Sequence, residues 1–334
     1  AVAALAGMDM QSGDDGIGRR REAWSAYWGA GQLHSCLGDF MEARDGDVVR
    51  FWWEDFSRIP EGGRVLDLGT GNGALPKLLL ELRGAAVAVD AVDLAELRPA
   101  WLAGHAQAYP VTFHSGVRME SLPFAAGTFD LVISQFGLEY ARWPDALDEV
   151  ARVCRPGGGA AFVMHHAGSL VVRVGREELA QHEFLRGEDG LIAAARAILP
   201  HVVRIASGVA PDAAAEQARK RYNEAMRRIG ERVGSGDVPA GLLVEVREQV
   251  HGIVGGRDGL APVARGAALE RYIEALDHAM TRTRELLSAA LDEARLERLL
   301  ACLRGRMPGR RVEARPLLYG GDIIAWGVRA CPGS

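Results

Sequence analysis

The stretch Val65-Leu66-Asp67-Leu68-Gly69-Thr70-Gly71-Asn72-Gly73 constrains this chain more than any other. An apolar run passes into three alternate glycines and then into Ala74–Leu82, which has helical patterning. Glycine lets the backbone turn sharply and approach a ligand that side chains would exclude. A helix starting just after such a turn aims free N–H groups at whatever sits there. Dinucleotide folds usually space their glycines GxGxxG, leaving room for a pyrophosphate. The spacing here is GxGxG, and Asp67 stands two residues before the first glycine. A carboxylate at that point opposes a phosphate but attracts an ammonium, directly or through water.

The following hundred or so residues alternate strand and helix patterns. Strands are expected at Val65–Leu68, Val87–Val92, Val111–His114, Phe129–Ser134 and Ala160–His165, with a helix over Asp145–Cys154. The run Arg155-Pro156-Gly157-Gly158-Gly159 reads as a turn before the fifth strand. Strand–helix alternation at this spacing implies a parallel sheet covered by helices on both faces. Upstream, residues 17–60 are rich in aromatics, with helical periodicity from Asp45 to Phe56 and a loop over Gly29–Ser35. Downstream, Ala-rich amphipathic runs at 212–232 and 266–304 predict helices, with glycine-rich breaks at 252–259. Arg311–Leu318 and Asp322–Arg329 then predict a β-hairpin turning at Gly320-Gly321. Four segments are therefore expected: a helical cap over 1–60, a ligand-binding core over 61–166, a helical insertion over 167–305, and a hairpin over 306–334 that completes the core sheet.

Composition excludes several classes. Hydrophobic residues make up 48% and charged residues 25%, which is globular rather than disordered composition. Lys+Arg is 39 against 44 for Asp+Glu, a net charge of −5, so the broad basic footprint of a nucleic-acid binder is missing. Cys36, Cys154, Cys302 and Cys331 form no CxxC pair, which removes zinc-ribbon and thioredoxin readings and favours a reduced, cytoplasmic protein. No apolar run reaches ~18 residues, so no membrane helix is expected. The first residues start apolar but soon meet Asp14 and Asp15, which argues against a signal peptide. The expected partner is a small molecule, without nucleic acid or membrane. The apolar insertion is a candidate homodimer face as well as a substrate lid.

Further motifs follow the glycine loop in order. They are Leu122-Pro123-Phe124, then Gly127-Thr128-Phe129-Asp130-Leu131-Val132, then Val153-Cys154-Arg155-Pro156-Gly157-Gly158. Together with the loop they resemble the class I S-adenosylmethionine (SAM) dependent methyltransferases, in particular the subgroup with the ubiquinone and menaquinone C-methyltransferases. The resemblance covers about residues 61–166. It implies a Rossmann-like α/β fold, here with an N-terminal helical lid and a large helical insertion before the last hairpin. It implies SAM as cofactor and S-adenosylhomocysteine as product. By the same resemblance Gly69, Thr70, Gly71 and Gly73 line the methionine moiety, and Asp67 lies near its amino group. An acid ending the second strand holds the ribose hydroxyls, since a carboxylate accepts two hydrogen bonds from a diol. Val92-Asp93-Leu94-Ala95 resembles the family ending and favours Asp93, with Leu94 beside it. Asp90 fits the usual distance from the glycines slightly better. Where the family commonly has an Asp for the adenine, this chain has Arg118-Met119-Glu120, so the Met119 backbone and Glu120 are candidate substitutes, and Arg118 is a candidate to stack on the ring. Ser134 and Gln135 would lie near the sulfonium.

Methyl transfer needs in-line positioning, and a base only where the acceptor carries a proton of high pKa. His165 and His166 end the fifth strand and are candidate bases, as is Glu139, with Gln135 close to the reacting atoms. Tyr27, Trp28, His34 and Tyr140 are candidate substrate contacts. No spacing of ligands suggests a metal. The function expected is methyl transfer from SAM to the O, N or C atom of a small molecule in secondary or cofactor metabolism. The alternatives are a SAM-binding protein with decarboxylation, cyclisation or hydroxylation chemistry, and a silent SAM-binding partner.

Overall fold

A computed structural model describes residues 13–35, 46–103, 109–235, 240–257 and 259–333. Cys36 and the start of the expected cap lie outside the described residues. The chain divides into two compact units, one of residues 1–172 with 285–334 and one of Arg173–Arg284.

The first unit is built on a seven-stranded sheet in the order β3-β2-β1-β4-β5-β7-β6. Its strands are β1 (Gly63–Leu68), β2 (Val87–Asp93), β3 (Val111–Ser115), β4 (Phe129–Gln135), β5 (Cys154–His165), β6 (Arg310–Tyr319) and β7 (Asp322–Pro332). Strands β1 to β5 run parallel, and β7 is antiparallel to both β5 and β6. The expected α/β fold is thus present, with the hairpin closing one edge. Residues alternate between the two faces of each strand. Leu66, Leu68, Val132, Phe162 and Met164 enter one apolar layer, and Val65, Ile133 and Val163 enter the other.

Helices α1 (Gly13–Gly29), α2 (Asp47–Phe56), α3 (Ala74–Arg83) and α4 (Trp143–Val153) belong to this unit. Helix α2 buries Val48, Phe51, Trp52 and Phe56 along one stripe. Phe51 comes so close to β7 that a Cβ on Gly327 would meet its ring at 2.8 Å. That contact explains a glycine in the interior of a strand.

Two elements depart from expectation. The Arg155–Gly159 run is not a free turn but the first part of β5, and the register with β4 slips between Phe129 and Leu131. The apolar run over 266–304 is two helices, Arg265–Ala289 and Glu293–Arg306. The break falls at Leu291, whose N–H donates to His165 O at 2.8 Å and whose carbonyl accepts from Ala167 N and the Trp326 indole. Asp292 then caps the second of these helices by accepting from Arg295 N at 2.7 Å. Leu296, Leu299, Leu300 and Leu303 pack into the first apolar layer of the sheet. The second compact unit spans Arg173–Arg284, and the Glu293–Arg306 helix belongs to the first.

The second unit holds α6 (Leu191–Ala206), α7 (Ala213–Gly234) and α8 (Gly241–Gly255), with parts of α5 (Leu170–Arg186) and α9 (Arg265–Ala289); the last helix, Glu293–Arg306, is α10. It has its own core, including Leu191, Ile198, Tyr222, Val246, Val250 and Ile273. Among the described residues no helix is long and apolar enough to cross a membrane, and no group of three His, Cys, Asp or Glu is placed to hold a metal.

Candidate active site

In an open parallel sheet, ligands bind beyond the carboxyl ends of the strands where the strand order reverses. Here that point lies between β1 and β4, which run to opposite sides in the sheet order. A cavity of about 460 Å³ opens there. Its walls come from the ends of β1, β2 and β4, the 117–120 turn after β3, the 140–142 turn, and one face of α1.

Asp67 ends the buried β1 run and is 1% exposed. Its Oδ1 has no hydrogen-bond partner among the described residues. Burial pushes its carboxyl up to about 8, the Thr70 side chain draws it down, and the neighbouring Asp93 pushes it up. A carboxylate held this way gains most from a cation arriving in the cavity. Asp93 ends β2. Its Oδ2 accepts from Gly71 N and its Oδ1 from Ala95 N, both at 2.8 Å. Burial raises its pKa, against these N–H groups and that of Leu94. A carboxylate has about four acceptor directions, so these three N–H groups leave room for a further donor. Asp90, the other acid considered, is turned away. It pairs with Arg64 at 2.8 Å and His114 at 3.0 Å and does not line the cavity.

The glycines make room for protein as well as for a ligand. Gly69, Gly71 and Gly73 all have positive φ, a conformation that glycine adopts without strain. Only Gly69 lines the cavity. A Cβ on Gly71 would meet the Trp28 indole at 2.5 Å, and one on Gly73 would meet the Phe113 ring at 2.6 Å. At Gly71 and Gly73 the missing side chains admit aromatic rings. Thr70, Leu94, Met119 and Glu120 line the cavity. Burial pushes the Glu120 carboxyl up, but the Arg142 N–H, its own backbone and Arg118 outweigh it and hold the pKa below the usual value.

Past β4, Gln135 lines the cavity while its Oε1 accepts from the Trp52 indole at 2.7 Å. Ser134 does not reach it. Its hydroxyl is buried between Leu68 O and Leu138 N, at 2.7 and 2.9 Å. Phe136 does line the cavity, and its φ of 54° is rare for a bulky residue. Such backbone strain persists where surrounding structure over-determines it, and it clusters at functional sites.

The candidate bases stand behind the wall. His165 is 1% exposed, stacks on Phe136 at 4.4 Å, and does not line the cavity. Burial pushes its imidazole down to about 3, which keeps it neutral. Glu139 is buried, accepts from His165 N at 2.8 Å, and is pushed up to about 7 by burial. His166 faces the opposite layer, against Trp326 at 4.4 Å. None of the three lines the cavity, and Phe136 lies over His165.

Trp28, His34 and Tyr140 line the cavity; Tyr27 does not, and its hydroxyl donates to His34 O at 2.7 Å. Sequence reasoning passed over Ile17, Arg20 and Arg21 on α1, which line it too, and left Trp24 unassigned. The available signal was helical spacing: positions 17, 20, 21, 24 and 28 share one face.

Residues 65–158 match a family described as a methyltransferase domain. This region is a class I SAM-dependent methyltransferase domain, and its cofactor is S-adenosylmethionine. An uncharacterized protein of Mycobacterium tuberculosis is 40% identical over 109 residues, which is 30% of this chain and 37% of that protein. A malonyl-[acyl-carrier protein] O-methyltransferase of Enterobacter lignolyticus is 29% identical over 155 residues, 45% of this chain and 56% of that protein. A ubiquinone/menaquinone biosynthesis C-methyltransferase of Geobacter sulfurreducens is 34% identical over 111 residues, 32% of this chain and 43% of that protein. The chain thus spans between about a third and somewhat over half of these relatives, and the likeness lies in the methyltransferase domain.

The residues present fit the cofactor. The orphaned oxygen of Asp67 suits the ammonium of its amino-acid tail, Asp93 suits the ribose diol, and Gly69 lines the same cavity.

Proposed function

We propose that this protein transfers the methyl group of SAM to a small-molecule acceptor. The observation that carries the reading is the buried Asp67 carboxyl, whose Oδ1 has no hydrogen-bond partner among the described residues, in a cavity also lined by Trp24 and Trp28 of α1. Bound there, SAM supplies a methyl group already activated as a sulfonium, so the chain's own task is orientation and exclusion of water. Asp67 and Asp93 hold the tail and the ribose. Trp24 and Trp28, stacked at 5.7 Å, and Tyr140, edge-on to Trp24, present an apolar surface suited to a small acceptor. Gln135, locked by Trp52, orients groups at the end of β4. Glu139 and His165 act as positioning residues: the carboxylate ties the β4 turn to the end of β5, and the imidazole backs Phe136. Neither lines the cavity, so neither is assigned a proton transfer.

The test is incubation of the purified chain with methyl-labelled SAM and a cell extract separated into small-molecule, protein and nucleic-acid fractions. Label is expected in the small-molecule fraction. Label confined to a macromolecular fraction would overturn the acceptor class. S-Adenosylhomocysteine binding without any transfer would favour the non-methylating alternative.

A further inference from the structure

Asn72 lies in the middle of the glycine loop and is 2% exposed. Its side chain makes no bond within the loop. Nδ2 donates to Trp28 O at 2.9 Å and to Gln32 O at 2.7 Å. Oδ1 accepts from Arg98 N at 3.0 Å, and the Asn72 carbonyl accepts from the Trp101 indole at 2.7 Å. These partners belong to different walls of the cavity. Trp28 ends the α1 face, and Gln32 precedes Leu33, His34 and Ser35, which all line the cavity. Arg98 follows Asp93, Leu94 and Ala95, which line it from the other side. The Trp28 indole also rests on Gly71, next to Asn72 in the chain.

Only a carboxamide fits this place. It offers two donors to two carbonyls and an acceptor to one N–H. A carboxylate would set an oxygen against both carbonyls, and a hydroxyl cannot span three partners.

We propose that Asn72 is a positioning residue that couples the order of the 28–35 wall to occupancy of the glycine loop by the cofactor. The proposal rests on the SAM-binding reading above. Binding at the loop fixes Asn72, and Asn72 fixes the segment that carries Trp28 and His34 against the acceptor space. Such a coupling is reciprocal, so loosening the wall weakens cofactor binding.

Hydrogen exchange on the full chain, with and without S-adenosylhomocysteine, tests this. In the unsubstituted chain the ligand is expected to slow exchange in both 65–73 and 28–35. In Asn72→Asp and Asn72→Ser, saturating ligand should still protect 65–73 but no longer 28–35, with affinity about tenfold weaker by calorimetry. Direct ligand contact alone would protect 28–35 in the variants as well, and that result overturns the coupling. Protection of 65–73 without 28–35 in the unsubstituted chain overturns it too, whether or not the variants fold. No protection of 65–73 in the unsubstituted chain would instead overturn the cofactor reading, and the coupling with it.

Discussion

The Trp28 indole rests on Gly71 so closely that a Cβ at Gly71 would lie 2.5 Å from Cζ2 of the ring. Gly71 also has φ +54°, so any side chain there meets both a ring and an unfavourable backbone. We expect Gly71→Ala to cost about 1–3 kcal/mol of stability, the usual range for overpacking, and to weaken S-adenosylhomocysteine binding. Trp28→Ala in the same chain should recover part of the stability loss, because it removes the obstacle. Thermal melts of the single and double variants measure this; strict additivity would show that the two residues do not touch.

Asp67 is the group whose charge the ligand changes. Its carboxyl is pushed up to about 8 in the free protein, so below that pH it is largely protonated, and a bound ammonium favours the ionised form. Binding should therefore release close to one proton at pH 6.5. Affinity should climb with pH and flatten near 8. Calorimetry in two buffers of different ionisation heat reads the proton directly. Asp67→Asn should bind more weakly and with no such release. Its free form should be more stable than the unsubstituted chain at pH 8 and equal to it near pH 4, since across that range the unfolded chain ionises Asp67 while the folded one keeps it protonated.

Glu139 and His165 oppose each other in pH-dependent stability. Folding keeps Glu139 protonated up to about 7, so stability falls as pH rises from the unfolded value near 4.5. Folding keeps His165 neutral down to about 3, so its contribution is complete above about 6.5 and is lost as pH falls below that. Between 4.5 and 6.5 the two slopes cancel. Relative to the unsubstituted chain, Glu139→Gln should gain stability as pH rises through this window, and His165→Phe should lose it. Each slope is at most about 1.4 kcal/mol per pH unit. Denaturant melts across that range decide it. Parallel curves for all three proteins would refute the burial of these groups.

The two acids of β2 should separate cleanly. Asp93→Ala removes the acceptor for Gly71 N and Ala95 N and should weaken S-adenosylhomocysteine by about 1–3 kcal/mol. Asp90→Ala breaks a half-exposed pairing with Arg64 and His114 and should change stability by less than about 1 kcal/mol, with affinity unchanged. Titration calorimetry on both variants is the check. A loss of affinity in Asp90→Ala alone would reverse the assignment.

The local pattern of this chain determined its sheet, its glycine turn and the acids beside it. A run such as Val65–Leu68 into alternate glycines has few conformations open to it, and burial on both faces demands the apolar strands observed. Asp67, Thr70, Asp93, Met119 and Glu120 were legible because each stands at a strand end or in a turn, where sequence position nearly fixes direction. Tertiary structure decided which side chains stand between the turn and the substrate space. His165 and Glu139 read as candidate bases from position alone; the left-handed Phe136 stacks its ring on His165, and Glu139 is turned to the His165 N–H. The face of α1 reaches the cavity only because α1 folds back to it from far upstream. The helix break at Leu291 exists because a strand end, His165, offers its carbonyl there. Sequence spacing encodes contacts a few residues apart; contacts between segments distant in the chain depend on where the sheet brings them, and no local pattern carries that.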